Sequence, residues 1–339
     1  MTRPTRIPLL VVGAGPCGLA VGVAARRQGI PCLLVDRGPI VHALERFPLD
    51  MTWFSTPELL EIGGLPFVTS GDKPTRGEAL KYYRRVATHF ELDVRQYEEV
   101  VRVERLPTEG GFDVRAHHVS GEPRRYRADF VVIATGTFDH PNPLGVEGED
   151  LPKVSHYFRE PHRTFDQDVL VVGGSNSAVE AALASYRAGA RVTLVHRRGK
   201  FGRGVKPWIL PDIENRFAAG DIDVLWEHEV ARIEPGRVLL RSRTDDEAVW
   251  LPNDFVLAMT GYRPDPELPV AFGVPVEPVA DVPRYDPETM ETSVPGLFVA
   301  GVIAAGKDGN RIFIENGREH GDRIVRRLRH MKPAVVDGV

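Results

Sequence analysis

The feature that most restricts the fold is a device that occurs twice. IPLLVVGAGPCGLAVGVAARRQG and, much later, QDVLVVGGSNSAVEAALASYRAG each run from an apolar strand through a glycine turn into a helix of small residues. Each is followed by a second apolar strand, CLLVD in the first case and RVTLVH in the second. Short, continuously apolar strands alternating with helices belong to parallel sheets buried on both faces, and strand, glycine turn, helix, strand is the opening unit of a doubly wound domain. The predicted class is therefore α/β, with two Rossmann-like doubly wound dinucleotide-binding domains. FDHPNPLGVEGEDLP, rich in Pro, Gly and acids, reads as the crossing between them, near Pro143. The tail from VPGLFVAGVIAAG onward is too small for a domain of its own and is expected to return to the first. The boundaries expected are 1–143 and 276–339 for the first domain, with 144–275 inserted between its two parts.

The first turn has its three glycines at Gly13, Gly15 and Gly18, with Pro16 opening the helix. Gly13 suits a tight turn, Gly15 lets the backbone approach a pyrophosphate, and Gly18 permits close helix packing while the helix N–H groups face the anion. Asp36, followed by Arg37, ends the second strand, where a carboxylate can accept the ribose hydroxyls of an adenosine. In the second turn Gly173, Ser175 and Ala178 hold the three glycine positions, with Gly174, Asn176 and Ser177 between them. Serine and alanine still permit close approach. The strand after it ends in His196, Arg197 and Arg198 rather than an acid, a donor set suited to an added ribose phosphate and hence to NADPH over NADH. A solvated basic strand end is the competing reading. Two nucleotide units in one chain are best explained by electron transfer, hydride passing from nicotinamide to a flavin held by the first.

Forty-three basic and 47 acidic residues give a net charge of −4, so the chain lacks the field expected of a nucleic-acid or anionic-membrane binder. The run IPLLVV is too short to span a bilayer, and nothing before Ile7 reads as a leader. We expect a cytoplasmic protein with a small-molecule partner, no nucleic acid and no membrane, compatible with a homo-oligomer. Two cysteines, Cys17 and Cys32, lack C-x-x-C spacing and can form neither a disulfide framework nor a four-ligand metal site. Cys32 opens an apolar strand and reads as a small core residue. Cys17 sits at a helix start, where N–H groups and the dipole favour thiolate while a bound pyrophosphate opposes it. It reads either as a redox thiol or as a tolerated spacer.

GAGPCG, WFSTPELLEIGG, VVGGSNSAVEAAL, HRR, KPWILP and VAGVIAAG followed by IFIENGREHG resemble the YpdA family of bacillithiol disulfide reductases, over nearly the whole chain. VVIATG and FVLAMTGYRPD resemble the signals that close the two domains of two-dinucleotide-domain flavoproteins. The resemblance implies FAD in the first domain, NADPH in the second, and reduction of a small disulfide, bacillithiol disulfide, with Cys17 as the reactive thiol. It places Thr135, Gly136, Gly301, Val302 and Ile312 beside FAD. Trp53, Phe54, Ser55 and Thr56 bring aromatics that could flank the flavin and hydroxyls that could bond it, or they serve only loop packing. Val302 departs from the Gly-Asp of many related flavoproteins, whose aspartate holds the ribityl chain. A helix beginning near Arg311 is expected to aim its N-terminus at the flavin; His320, within it, is expected to be a packing or surface histidine. Arg203, Lys206 and Trp208 could line a cleft, or simply be solvated. No metal site is expected. The alternatives are a flavin monooxygenase, whose linker motif LPKVSHYF matches poorly, and a non-catalytic redox sensor that needs only the two turns.

Overall fold

The structure, a computed structural model, describes residues 5–331 except 107–109, 203, 246 and 266; Arg203 therefore lies outside the described residues. The chain divides into two compact units. One runs to Glu45, resumes over Met51–His140 and takes in the chain from Tyr262 onward; the other comprises Arg46–Asp50 and Pro141–Gly261.

In the first unit β1 (Thr5–Val12), α1 (Pro16–Arg27), β2 (Cys32–Asp36), α2 (Arg76–His89), β3 (Asp93–Gln96), β4 (Glu98–Arg105), β5 (Phe112–His118) and β6 (Pro123–Ile133) follow in order. The sheet runs β3-β2-β1-β6-β5-β4. β1 is parallel to both β2 and β6, whereas β4, β5 and β6 pair antiparallel. Leu9, Leu10 and Val11 of β1 are fully buried, as a central parallel strand covered on both faces requires. α1 starts cleanly because Pro16 occupies its first turn, where a missing N–H costs nothing, and ends with Arg26 and Arg27 beside its negative pole. Every residue from Gly18 to Ala25 is buried, so the small residues serve packing on all sides.

The second unit contains β7 (Asp168–Val172), α3 (Asn176–Arg187), β8 (Arg191–His196), α4 (Leu210–Ala219), β9 (Ile222–Trp226), β10 (His228–Glu234), β11 (Arg237–Ser242), β12 (Ala248–Pro252) and β13 (Phe255–Ala258). Its parallel sheet has the order β9-β8-β7-β13 with the short strand Val154–Ser155 outermost. One face packs Val171 and Leu194 against α3 and α4. The other packs Leu170, Val195 and Val256 against the antiparallel ribbon β10-β11-β12 through Val230, Val238 and Leu240.

The chain then returns to the first unit, where β14 (Leu297–Val299) pairs parallel with β6 and α5 (His320–Leu328) lies along α1. The helix expected from Arg311 begins later and is broken. A short helix covers Ile314–Gly317 and α5 starts at His320. The Asn316 side chain explains the late start: its Oδ1 accepts the Phe313 N–H at 2.8 Å and its Nδ2 donates to the Arg311 carbonyl at 2.9 Å, closing a local turn before the helix. Among the described residues no helix is long and apolar enough to cross a membrane.

Candidate functional site

The three glycines of the first turn differ in what a side chain would meet. Gly13 has φ +109°, and a Cβ there would lie 2.4 Å from the Ala134 carbonyl oxygen. At Gly18 it would lie 2.0 Å from the Gly13 carbonyl oxygen. At Gly15 it would meet nothing within 4 Å, although φ is an ordinary −69°. Gly15 thus faces open space at the N-terminus of α1, the place where a phosphate can receive helix N–H groups. Gly136 is also open, and beside it the buried Thr135 Oγ1 has no hydrogen-bond partner among the described residues. A cradle without side chains, an orphaned hydroxyl and a helix terminus fit a dinucleotide pyrophosphate.

Asp36 is bound into the same turn. Its Oδ2 accepts the Ala14 N–H at 2.7 Å and its Oδ1 the Gly38 N–H at 2.9 Å. Burial raises its pKa, and those two N–H groups, with His42 and Arg37, act in the opposite direction. Each oxygen retains a further lone pair for a ribose hydroxyl. Arg37 is turned to Asp139 and Glu99.

Cys17 is enclosed by the fold. The residue keeps some accessible surface, yet its thiol is packed against two backbone segments far away in sequence: a Cβ at Gly301 would lie 3.0 Å from Sγ, and one at Gly317 only 2.8 Å. Burial pushes the thiol up to about 12, so Cys17 rests protonated. Cys32 is likewise pushed up to about 12, by burial and then by Asp93. Gly301 opens the 3₁₀ turn Val302–Ala305 at φ +79°, a conformation glycine adopts without strain. Ile312 lies against Gly317, its Cγ2 3.2 Å from where a Cβ would be. Trp53 and Phe54 are half-buried ahead of the short helix Pro57–Leu60, and the Trp53 N–H donates to the Pro74 carbonyl at 2.9 Å. The Ser55 hydroxyl donates to Glu315, so its proton is already committed, and Thr56 is the N-cap of that short helix without a side-chain cap bond.

His320 is not a surface residue. It is 6% exposed, and its Nδ1 accepts the Gly301 N–H at 3.1 Å. Burial, helped by Arg323, pulls it down to about 4. Arg318, which sequence reasoning missed, donates from Nη1 to the Glu58 and Glu61 carbonyls at 2.8 and 2.7 Å. Nothing in the spacing of IFIENGREHG distinguishes such anchors from solvated charges.

In the second unit Gly173 would place a Cβ 2.4 Å from the Met259 carbonyl oxygen, and Ser175 is the N-cap of α3. Ser175 and Ser177 are exposed at that helix start. Two other expected ligands are occupied. Asn176 Oδ1 accepts the Lys206 N–H at 2.8 Å, which ties the loop bearing Lys206 and Trp208 to the turn. The His196 ring covers Gly174, where a Cβ would come within 2.3 Å of it, and packs edge-on to Trp226 at 6.0 Å. Burial, then Arg198 and Arg197, lower its pKa, which disfavours a charge on His196 at the strand end. Arg197 and Arg198 are exposed, and their guanidiniums make no ion pair or hydrogen bond among the described residues. Arg191, at the other end of β8, is by contrast paired with Asp166 and Asp168, both at 2.6 Å. Lys206 lies over the Trp208 ring at 5.8 Å, and Trp208 is 55% exposed.

The sequence profile described as "Pyridine nucleotide-disulphide oxidoreductase" matches residues 10–301. The chain is 42% identical over 315 residues to "Bacilliredoxin reductase Bdr" of Bacillus subtilis (strain 168), covering 93% of this chain and 95% of that protein. It is similar in structure to "Bacillithiol Disulfide Reductase Bdr (YpdA)" from Bacillus cereus, with TM-score 0.93, 41% identity and coverage of 96% of this chain and 99% of that one. The protein of the same description from Staphylococcus aureus gives TM-score 0.89 and 38% identity, covering 96% and 98%.

Proposed function

Since the chain belongs to the pyridine nucleotide-disulphide oxidoreductase family, we propose that its substrate is the disulfide of a small cytosolic thiol, bacillithiol disulfide. It is a flavoprotein disulfide oxidoreductase of the thioredoxin reductase-like kind, dependent on FAD and NADPH. The observation that carries the substrate is the match, nearly end to end in sequence and fold, to proteins described as bacillithiol disulfide reductases.

FAD supplies a two-electron relay: hydride is taken from NADPH, and the two electrons, with two protons, convert one disulfide into two thiols. The residues assigned to holding it are Gly13, Gly15 and Gly18 with Asp36 and Thr135, whose open cradle and orphaned hydroxyl suit the pyrophosphate side. Arg197 and Arg198, with unengaged guanidiniums, are assigned to the 2′-phosphate of NADPH. Cys17 is assigned to the disulfide step. Because it rests protonated, its proton must leave as the substrate arrives, rather than beforehand. We place the protein in the cytoplasm.

The deciding assay follows NADPH oxidation by the FAD-loaded protein with bacillithiol disulfide, with oxygen and with neither. Disulfide-dependent turnover is expected. Turnover driven by oxygen alone would replace this reading with a monooxygenase, and binding of both cofactors without turnover would leave a redox sensor. On the same preparation, Cys17→Ser should still be reduced by NADPH but lose disulfide turnover; turnover near that of the wild type would remove Cys17 from the mechanism.

A further inference from the structure

We propose that His320 is a positioning residue that sets the width of the slot holding the Cys17 thiol, an inference that rests on Cys17 taking part in the disulfide step. The slot has two backbone walls. Gly301 forms one and Gly317 the other, and a Cβ on either would come to 3.0 or 2.8 Å from Sγ. These walls come from separate segments, the turn after β14 and the short helix Ile314–Gly317. His320 opens α5, three residues beyond Gly317 in the chain, and its Nδ1 accepts the N–H of Gly301 at 3.1 Å. One buried hydrogen bond therefore ties the first wall to the chain that leads directly out of the second. The helix carrying the thiol is held to the same frame, since Gly321 approaches α1 so closely that a Cβ would lie 2.7 Å from the Ala20 carbonyl oxygen.

The chemistry of the bond requires a neutral ring with its proton on Nε2, because Nδ1 must accept. Burial supplies that state, His320 being pulled down to about 4. Losing the acceptor would leave the Gly301 N–H buried without a partner and free the turn to move away from Gly317. The thiol would then reach solvent. A histidine that only filled space would leave thiol reactivity unchanged when replaced by a residue of similar volume.

The test is the rate of iodoacetamide alkylation on the full-length FAD-loaded protein, with peptide mass spectrometry separating Cys17 from Cys32. His320→Leu, which keeps bulk and removes the acceptor, should speed alkylation of Cys17 at least tenfold and leave Cys32 unchanged. His320→Asn, whose Oδ1 can stand near the position of Nδ1, should return Cys17 to within about twofold of the wild type. An unchanged Cys17 rate in His320→Leu would overturn the proposal, as would equal acceleration of both cysteines or failure of His320→Asn to restore protection. Should His320→Leu not fold, His320→Gln, which keeps polarity but displaces the acceptor from Gly301, is read by the same criteria. The slot itself is checked by Gly317→Ala: its loss of melting temperature should be largely recovered in the double variant with Cys17→Ala, and no recovery would mean that the thiol does not fill the slot. None of these readings uses bacillithiol disulfide, so the proposal can fail while the assigned activity stands, and the reverse.

Discussion

Two residues separate Gly15 from Gly18, and a methyl group added at each meets opposite surroundings. At Gly18 it would press to 2.0 Å on a carbonyl oxygen, a backbone clash that neither partner can relieve by changing rotamer. Gly18→Ala should therefore destabilise the fold by about 3 kcal/mol or more, read as a fall in the urea midpoint. Gly15→Val faces open space at an ordinary φ and should keep the midpoint within about 1 kcal/mol of wild type, while abolishing FAD binding measured by flavin absorbance after reconstitution. His320 carries a pH dependence of definite sign. Its folded value near 4 lies below the ordinary 6.5, so the unfolded chain takes up the proton first. The stability it contributes is complete above pH 6.5 and is lost as pH falls through 4, about 3 kcal/mol in all. Urea midpoints between pH 7 and 4 should fall less steeply in His320→Asn than in the wild type. Of the residues at this scale, Gly13, Gly15 and Gly18 were legible from spacing because each obeys a local steric rule. Cys17 was not, since its dipole environment is written in the sequence but its desolvation comes from Gly301 and Gly317.

The end of β8 is the element to which the choice of coenzyme is assigned. Arg191 at its start is held by two aspartates, whereas the guanidiniums of Arg197 and Arg198 just past its finish have no ion pair or hydrogen bond among the described residues, so their donors remain available to a phosphate. Replacing both by alanine should raise the Kd for NADPH at least tenfold and leave that for NADH within about twofold, since one charged hydrogen bond contributes about 1.5–3 kcal/mol. Equal weakening of both would reduce the HRR run to surface charge. The sequence showed these arginines but also enlisted His196, which the structure packs over Gly174 and whose pKa burial lowers. α2 shows the local case: Thr75 and Glu78 close a reciprocal capping box, the Glu78 N–H donating to Thr75 Oγ1 at 3.2 Å and the Thr75 N–H to Glu78 Oε2 at 2.8 Å. Thr75→Ala should lower stability by about 1 kcal/mol in thermal unfolding.

For the molecule as a whole, two separate turns imply two separable ligand effects. A ligand bound to the native state alone stabilises it by about 2.7 kcal/mol at a hundredfold excess over Kd. In thermal shift measurements Gly15→Val should lose the response to FAD and keep that to NADPH, and the double arginine variant should do the reverse. Loss of both responses in either variant would show that one substitution had damaged the whole protein. The sequence by itself determined the two doubly wound units, their glycine turns and the basic strand end, because apolar runs, glycine sterics and strand-terminal charge act within some thirty residues of chain. Tertiary structure decided what the sequence left open. It packed His196 over Gly174 and lowered its pKa, started the last helices at Ile314 and His320, and closed a slot around Cys17 with backbone nearly three hundred residues away. Burial, and the pKa that follows from it, is a property of the atoms that surround a group, and for Cys17 and His320 those atoms come from strands and turns that meet only when the first unit is complete.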